Sequence, residues 1–105
     1  MVELQGTNSV GGGSGATYAP YIITPLEGIQ ARVRANATQV NWAHNDLDLD
    51  SAAKNAFIAD TSIVFAYAYQ TESFDRDNFT LWSNGDALIS TVAAQCNNTI
   101  VVIHS

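Results

Sequence analysis

Positive charge is scarce in this chain. Four lysines and arginines face ten acidic residues among 105, a formal net charge of −6. Phosphate neutralisation needs clustered Lys and Arg, so this balance argues against nucleic acid or an anionic membrane as partner, and a neutral substrate suits it better. Cysteine is almost absent. Cys96 stands alone, which rules out an internal disulfide or a cysteine-based zinc framework. Its place on an apolar helical face reads as a small buried hydrophobe rather than a nucleophile. No apolar run approaches the roughly 18–20 residues that span a bilayer. The opening "MVELQGTNSV" lacks the basic patch and apolar stretch of a signal peptide. Apolar residues nevertheless make up 47% and charged residues only 13%, enough for one ordinary domain with a real core and too apolar for a disordered chain.

Three glycosylation acceptor patterns are present, at Asn36-Ala37-Thr38, Asn78-Phe79-Thr80 and Asn97-Asn98-Thr99. Together they favour a secreted origin. Sequons without a leader imply that Met1 is not the true start of the parent protein.

Residues 1–20 form a Gly/Ser-rich loop, "VGGGSG", and an extended lead-in; residues 21–105 carry the folded pattern. Thr24, Pro25 and Glu27 spell a helix start, with the threonine as cap and the glutamate reaching back three residues later, so a helix is expected over 25–34 with Leu26, Ile29 and Val33 on one face. "TQVNWA" (38–43) reads as a short strand. A second helix follows, capped by Asp50 or Ser51, with Ala52, Ala53, Ala56 and Phe57 as its apolar stripe. "TSIVFAYAY" (61–69) reads as a strand covered on both faces. A third helix, capped by Ser83 or Asn84, has Leu88, Ile89, Val92, Ala93 and Cys96 as its stripe, and "TIVVIH" (99–104) closes the chain as a fully buried strand. Alternating helices and strands define an α/β class, a mostly parallel sheet with helices on both faces and right-handed crossovers. A helix would be expected after the last strand, so the domain reads as truncated.

In such sheets ligands gather where loops leave the carboxyl ends of the strands. "QTESFDRDNFTLW" (70–82) is that loop, and it is longer than the ~2–6 residues usual between strand and helix. Excess length at this edge favours function, although pattern alone also permits an ordinary solvated acidic loop. Glu72 is its candidate general acid or base. Arg76 is suited to an ion pair with Asp75 or to a bound oxygen, and Phe74, Phe79 and Trp82 offer flat apolar faces, Trp82 packing the loop onto the third helix. His44 and His104 have nothing to orient them as bases and read as structural. "GGGSG" (11–15) lacks the Gly-Lys-Ser/Thr ending of a phosphate cradle and reads as a flexible or turning loop. Asp46, Asp48 and Asp50 alternate as in calcium loops, but the turning glycine and terminal glutamate are missing, so no metal site is expected.

"GSGATYAPYIITPLEGIQARV" and "VFAYAYQTESFDRDNFTLWSNGDALISTVAAQCNNTIVVIHS" together resemble fungal β-glucosidases of glycoside hydrolase family 3, in the α/β-sandwich domain that follows the barrel. The resemblance covers nearly the whole chain beyond residue 10. It implies a retaining hydrolase acting on terminal β-D-glucosyl residues of β-glucosides or cello-oligosaccharides in cellulose and polysaccharide breakdown, with no cofactor. The barrel would supply an aspartate nucleophile, and the Glu-Gly-(Tyr or Phe)-Asp-Arg run of the sandwich domain the acid/base glutamate. By motif match that residue is Glu72, Phe74 borders the substrate, and Asp75 and Arg76 scaffold the loop. Ser73 departs from the usual glycine. Nothing here resembles the nucleophile segment, so the chain alone is expected to be inactive without its barrel partner. The alternative reading is a non-catalytic sugar-binding or supporting module.

Overall fold

The computed structural model describes residues 3–4 and 7–105, with side chains from residue 9 onward. Residues 1–2 and 5–6 of the lead-in lie outside the described set. Two short strands, β1 (Glu3–Leu4) and β2 (Thr7–Asn8), pair antiparallel there, where the sequence reading had only an extended lead-in.

Helix α1 (Pro25–Val33) begins where the capping chemistry requires. Thr24 Oγ1 accepts from the Glu27 amide at 3.2 Å, and Glu27 Oε2 accepts from the Thr24 amide at 2.8 Å, so two N–H groups that no helical carbonyl can reach are both satisfied. A 3₁₀ turn (Arg34–Asn36) continues the helix and ends at Ala37, whose φ of 53° is left-handed. No residue of α1 is buried. The strand expected over 38–43 does not form. That stretch joins no sheet, and Trp42 is 53% exposed. A strand is held by its neighbour's hydrogen bonds, and without one an extended segment remains irregular.

Helix α2 (Leu49–Phe57) is capped by Asp48, where Asp50 or Ser51 was expected, its carboxylate accepting from the Ser51 amide at 3.1 Å and from the Ser51 hydroxyl at 2.7 Å. Ala52 and Ala56, four residues apart, are its buried stripe, while Phe57 is 74% exposed and lies off it. Strand β3 (Ser62–Tyr67) pairs in parallel with β4 (Thr99–His104), in a register running from Ser62 opposite Thr99 to Tyr67 opposite His104. Helix α3 (Gly85–Gln95) joins them, entered through Asn84 at a left-handed φ of 61° and without a side-chain cap.

The core forms where α2, α3 and β3 meet: Ala52, Ala56, Val64, Val92 and Cys96, flanked by Leu88 and Ile89. Cys96 is 4% exposed, buried as its position on the α3 stripe requires, whereas Ala93 faces solvent. Each buried valine contributes about 2 kcal/mol, each alanine less. β4 is far more open than its all-apolar sequence implies. Ile100 is 48% and Ile103 52% exposed, and the parallel register puts these two on opposite faces of the sheet. The α/β class and the parallel pairing match the sequence reading; full burial of the last strand does not.

Candidate functional site

β3 ends at Tyr67, and the chain returns to that same point at Trp82, whose amide donates to the Tyr67 carbonyl at 3.0 Å. The intervening residues therefore form one closed excursion from the carboxyl edge of the sheet. Its base is aromatic. The Trp82 ring lies 5.4 Å from Tyr69 and 6.3 Å from Tyr67, centroid to centroid, and the Tyr67 hydroxyl meets Ser83 Oγ at 2.9 Å. Trp82 thus packs on the tyrosines of β3 and its extension, where packing onto α3 was expected.

At the tip, Thr71 and Phe74 form an antiparallel bridge, and Gln70 Nε2 donates to the Phe74 carbonyl at 2.9 Å. Glu72 and Ser73 are the two central residues of this tight turn. Ser73 has φ 71°, a left-handed conformation that turns of this kind usually give to glycine. The departure at Ser73 is therefore accommodated with the backbone still in the glycine-favoured region. Arg76 braces the second half of the loop through Nη2, which donates to the Thr80 carbonyl at 2.8 Å, rather than through the ion pair with Asp75. Its Nε is buried without a hydrogen-bond partner among the described residues. Phe74, Asp75 and Arg76 line a cleft of about 420 Å³ with Tyr69, Asp77 and Trp82.

Glu72 does not line that cleft. Its exposed carboxylate meets the Gly/Ser segment instead. Glu72 Oε2 accepts from the Ser14 amide at 2.7 Å and from the Ser14 hydroxyl at 2.6 Å. Gly12 forms a parallel bridge with Thr71, its amide donating to the Gln70 carbonyl at 3.5 Å. Glycine is required here by contact. A Cβ on Gly12 would lie 2.8 Å from the Thr71 Cβ, and one on Gly13 would lie 2.6 Å from the Glu72 Cβ at a backbone φ of 117°. The two Ser14 hydrogen bonds, the side-chain one foremost, favour the ionised form and hold the Glu72 carboxyl below its ordinary value of 4.5.

The remaining candidates are dispersed. His104 packs on Phe65 and His44 on Trp42, each pair of rings 6.3 Å apart. Asn36, Asn78 and Asn97 are all exposed. Reading the sequence linearly placed Glu72 on the loop but missed Ser14 as its partner. The "GGGSG" run was the available signal, since a cluster of glycines marks close backbone approach as well as flexibility.

The chain is an α/β unit with a long loop leaving the carboxyl edge of parallel strands, the edge at which such folds gather ligands. Residues 2–105 match the profile of the glycosyl hydrolase family 3 C-terminal domain, and the chain belongs to that family. It is 45% identical over 114 aligned positions to the probable beta-glucosidase A of Emericella nidulans, covering 96% of this chain and 13% of that protein. It is 40% identical over 108 positions to the beta-glucosidase A of Aspergillus kawachii, covering 95% and 13%. Among solved structures, the family 3 beta-glucosidase from Neurospora crassa superposes with a TM-score of 0.84 at 36% identity, over 90% of this chain and 12% of that one. The beta-D-glucoside glucohydrolase from Trichoderma reesei gives 0.80 at 36%, over 92% and 15%. The chain thus spans only 12–15% of the length of these relatives.

Proposed function

We propose that this chain supplies the acid/base carboxyl, Glu72, of a retaining β-glucosidase, and that the nucleophile comes from a barrel segment of the enzyme outside these residues. The observation that carries the reading is the position of Glu72, at the tip of a tight turn beyond the carboxyl end of β3, in a chain of this family. Retaining hydrolysis uses two carboxyl groups about 5–5.5 Å apart across the glycosidic bond. One protonates the leaving oxygen while the other forms the glycosyl-enzyme, and the first then deprotonates the attacking water. Glu72 takes the first role. Phe74, 72% exposed on the cleft, offers an apolar face to the substrate, and Arg76 keeps the loop in shape through the Thr80 carbonyl. The three exposed sequons accord with a secreted, glycosylated parent, and a β-glucosidase of this kind would act in cellulose breakdown.

The test is a chimera in which this chain replaces the matching segment of the Neurospora crassa enzyme. Glu72→Gln should lower kcat/KM on alkyl glucosides by about 10²–10⁴, the usual contribution of general acid/base catalysis, and by less on aryl glucosides, whose leaving groups need no proton in the glycosylation step that kcat/KM reports. Equal activity of both proteins on both substrates sinks the reading. The isolated chain, with one carboxyl of the pair, should not turn over in either case.

A further inference from the structure

We propose that the segment 11–15 is a clasp on the Glu72 carboxylate, with Ser14 as its positioning residue, and that Glu72 must leave Ser14 before it can donate a proton. The inference rests on the reading of Glu72 as proton donor and adds a gating step to it. Three independent contacts define the clasp. Ser14 presents both its amide and its hydroxyl to one oxygen, Oε2. The Gly12–Thr71 bridge holds the two loops in register one residue before the carboxylate. Gly13 fits against Glu72 with no room for a side chain.

Each donor directed at Oε2 needs an acceptor, and a proton placed on that oxygen removes part of the acceptor capacity. Charge-assisted bonds to an ionised carboxylate are also about twice as strong as neutral ones. The clasped geometry therefore suits Glu72 as a base and opposes Glu72 as an acid. Held by Ser14, it is not among the residues lining the cleft of Phe74 and Arg76. Leaving Ser14 removes the stabilisation of the charge and frees the side chain to reorient in one movement. Segment 11–15 presents no ionisable side chain to Glu72. On its own loop and the strand end before it stand Asp75, Arg76, Asp77 and Tyr69, none of which adds to the effect of Ser14 on this carboxyl among the described residues.

The experiment is an NMR titration of the full chain with ¹³C-labelled glutamate and ¹⁵N-labelled backbone, as wild type, Ser14→Ala and Ser14→Thr. The clasp predicts that the Glu72 carboxyl titrates below the ordinary glutamate value, that Ser14→Ala raises its midpoint and that Ser14→Thr, which keeps the hydroxyl, restores it. In the wild type the Ser14 amide shift should follow the same midpoint, with hydrogen-exchange protection above it and none below. Should Ser14→Ala fail to fold, the wild-type amide decides alone. A Glu72 midpoint indifferent to Ser14→Ala, or a Ser14 amide that ignores the Glu72 titration, overturns the clasp. Its failure is separable from that of the catalytic reading, because the titration needs no turnover and the chimera assay needs no clasp.

Discussion

Two glutamates in this chain accept the same pair of hydrogen bonds from a hydroxyl residue, and they differ chiefly in how far away that residue is. Glu27 Oε2 takes the amide and hydroxyl of Thr24, three residues before it, at 2.8 and 2.9 Å. Glu72 Oε2 takes the amide and hydroxyl of Ser14, 58 residues before it, at 2.7 and 2.6 Å. The local pair is a helix device. It satisfies N–H groups that any helix start leaves open, and it would serve in any fold. The distant pair has no such local purpose. It ties a glycine-rich segment to the tip of a loop and restrains the carboxylate proposed above as proton donor. The same two donors thus close a helix start in one place and join two distant loops in the other, and connectivity tells them apart.

The sharpest way to break the comparison is at Gly13, which has no counterpart at the helix start. Gly13→Ala adds a Cβ 2.6 Å from that of Glu72 at a φ of 117°, a conformation costing about 1–3 kcal/mol for a residue with a side chain. It should separate the loops and release the Glu72 carboxyl toward its ordinary titration while leaving α1 intact, as read by circular dichroism and the carboxyl shift together. Next in size is the converse. Thr24→Ala should cost about 1 kcal/mol, the usual loss of a threonine cap, and fray the start of α1 in amide exchange without moving the Glu72 midpoint. Should either substitution disturb both sites, the two devices are not independent.

The smallest effect is shared. Hydrogen bonds from Thr24, Ser51 and Ser14 lower Glu27, Asp48 and Glu72 respectively below their ordinary values of 4.5, 3.8 and 4.5. Folded groups lowered in this way bind fewer protons than their unfolded counterparts. Their stabilisation is thus complete above about pH 4.5 and lost as pH falls through the depressed folded values. Thermal melts between pH 6 and pH 2 should show a decline confined to the acid end, and Ser14→Ala should flatten only the part owed to Glu72.

The same contrast explains what could be read from the sequence. The start of α1, the strands 62–67 and 99–104 and the stripe of α3 through Val92 and Cys96 were legible because each is decided by residues a few positions apart. The strand expected over 38–43 failed for want of a partner strand, which no local pattern supplies. Asp48 rather than Asp50 or Ser51 caps α2 because the Ser51 amide and hydroxyl both reach its carboxylate, a choice among neighbours too alike to separate by residue type. Loop length and topology put Glu72 at the sheet's carboxyl edge. The partner of its side chain is Ser14, a contact across 58 residues in a Gly/Ser run that the sequence presented only as a flexible or turning loop.

The central claim is that Glu72 exchanges protons with the glycosidic oxygen and with the incoming water, and azide tests it most directly. In the chimera carrying Glu72→Ala, the glycosyl-enzyme formed from an activated aryl glucoside should persist, because no base deprotonates the water. Azide needs no such base. The account predicts a rate that rises with azide and a β-glucosyl azide as product. A rate unaffected by azide, with glucose as the sole product, would contradict it.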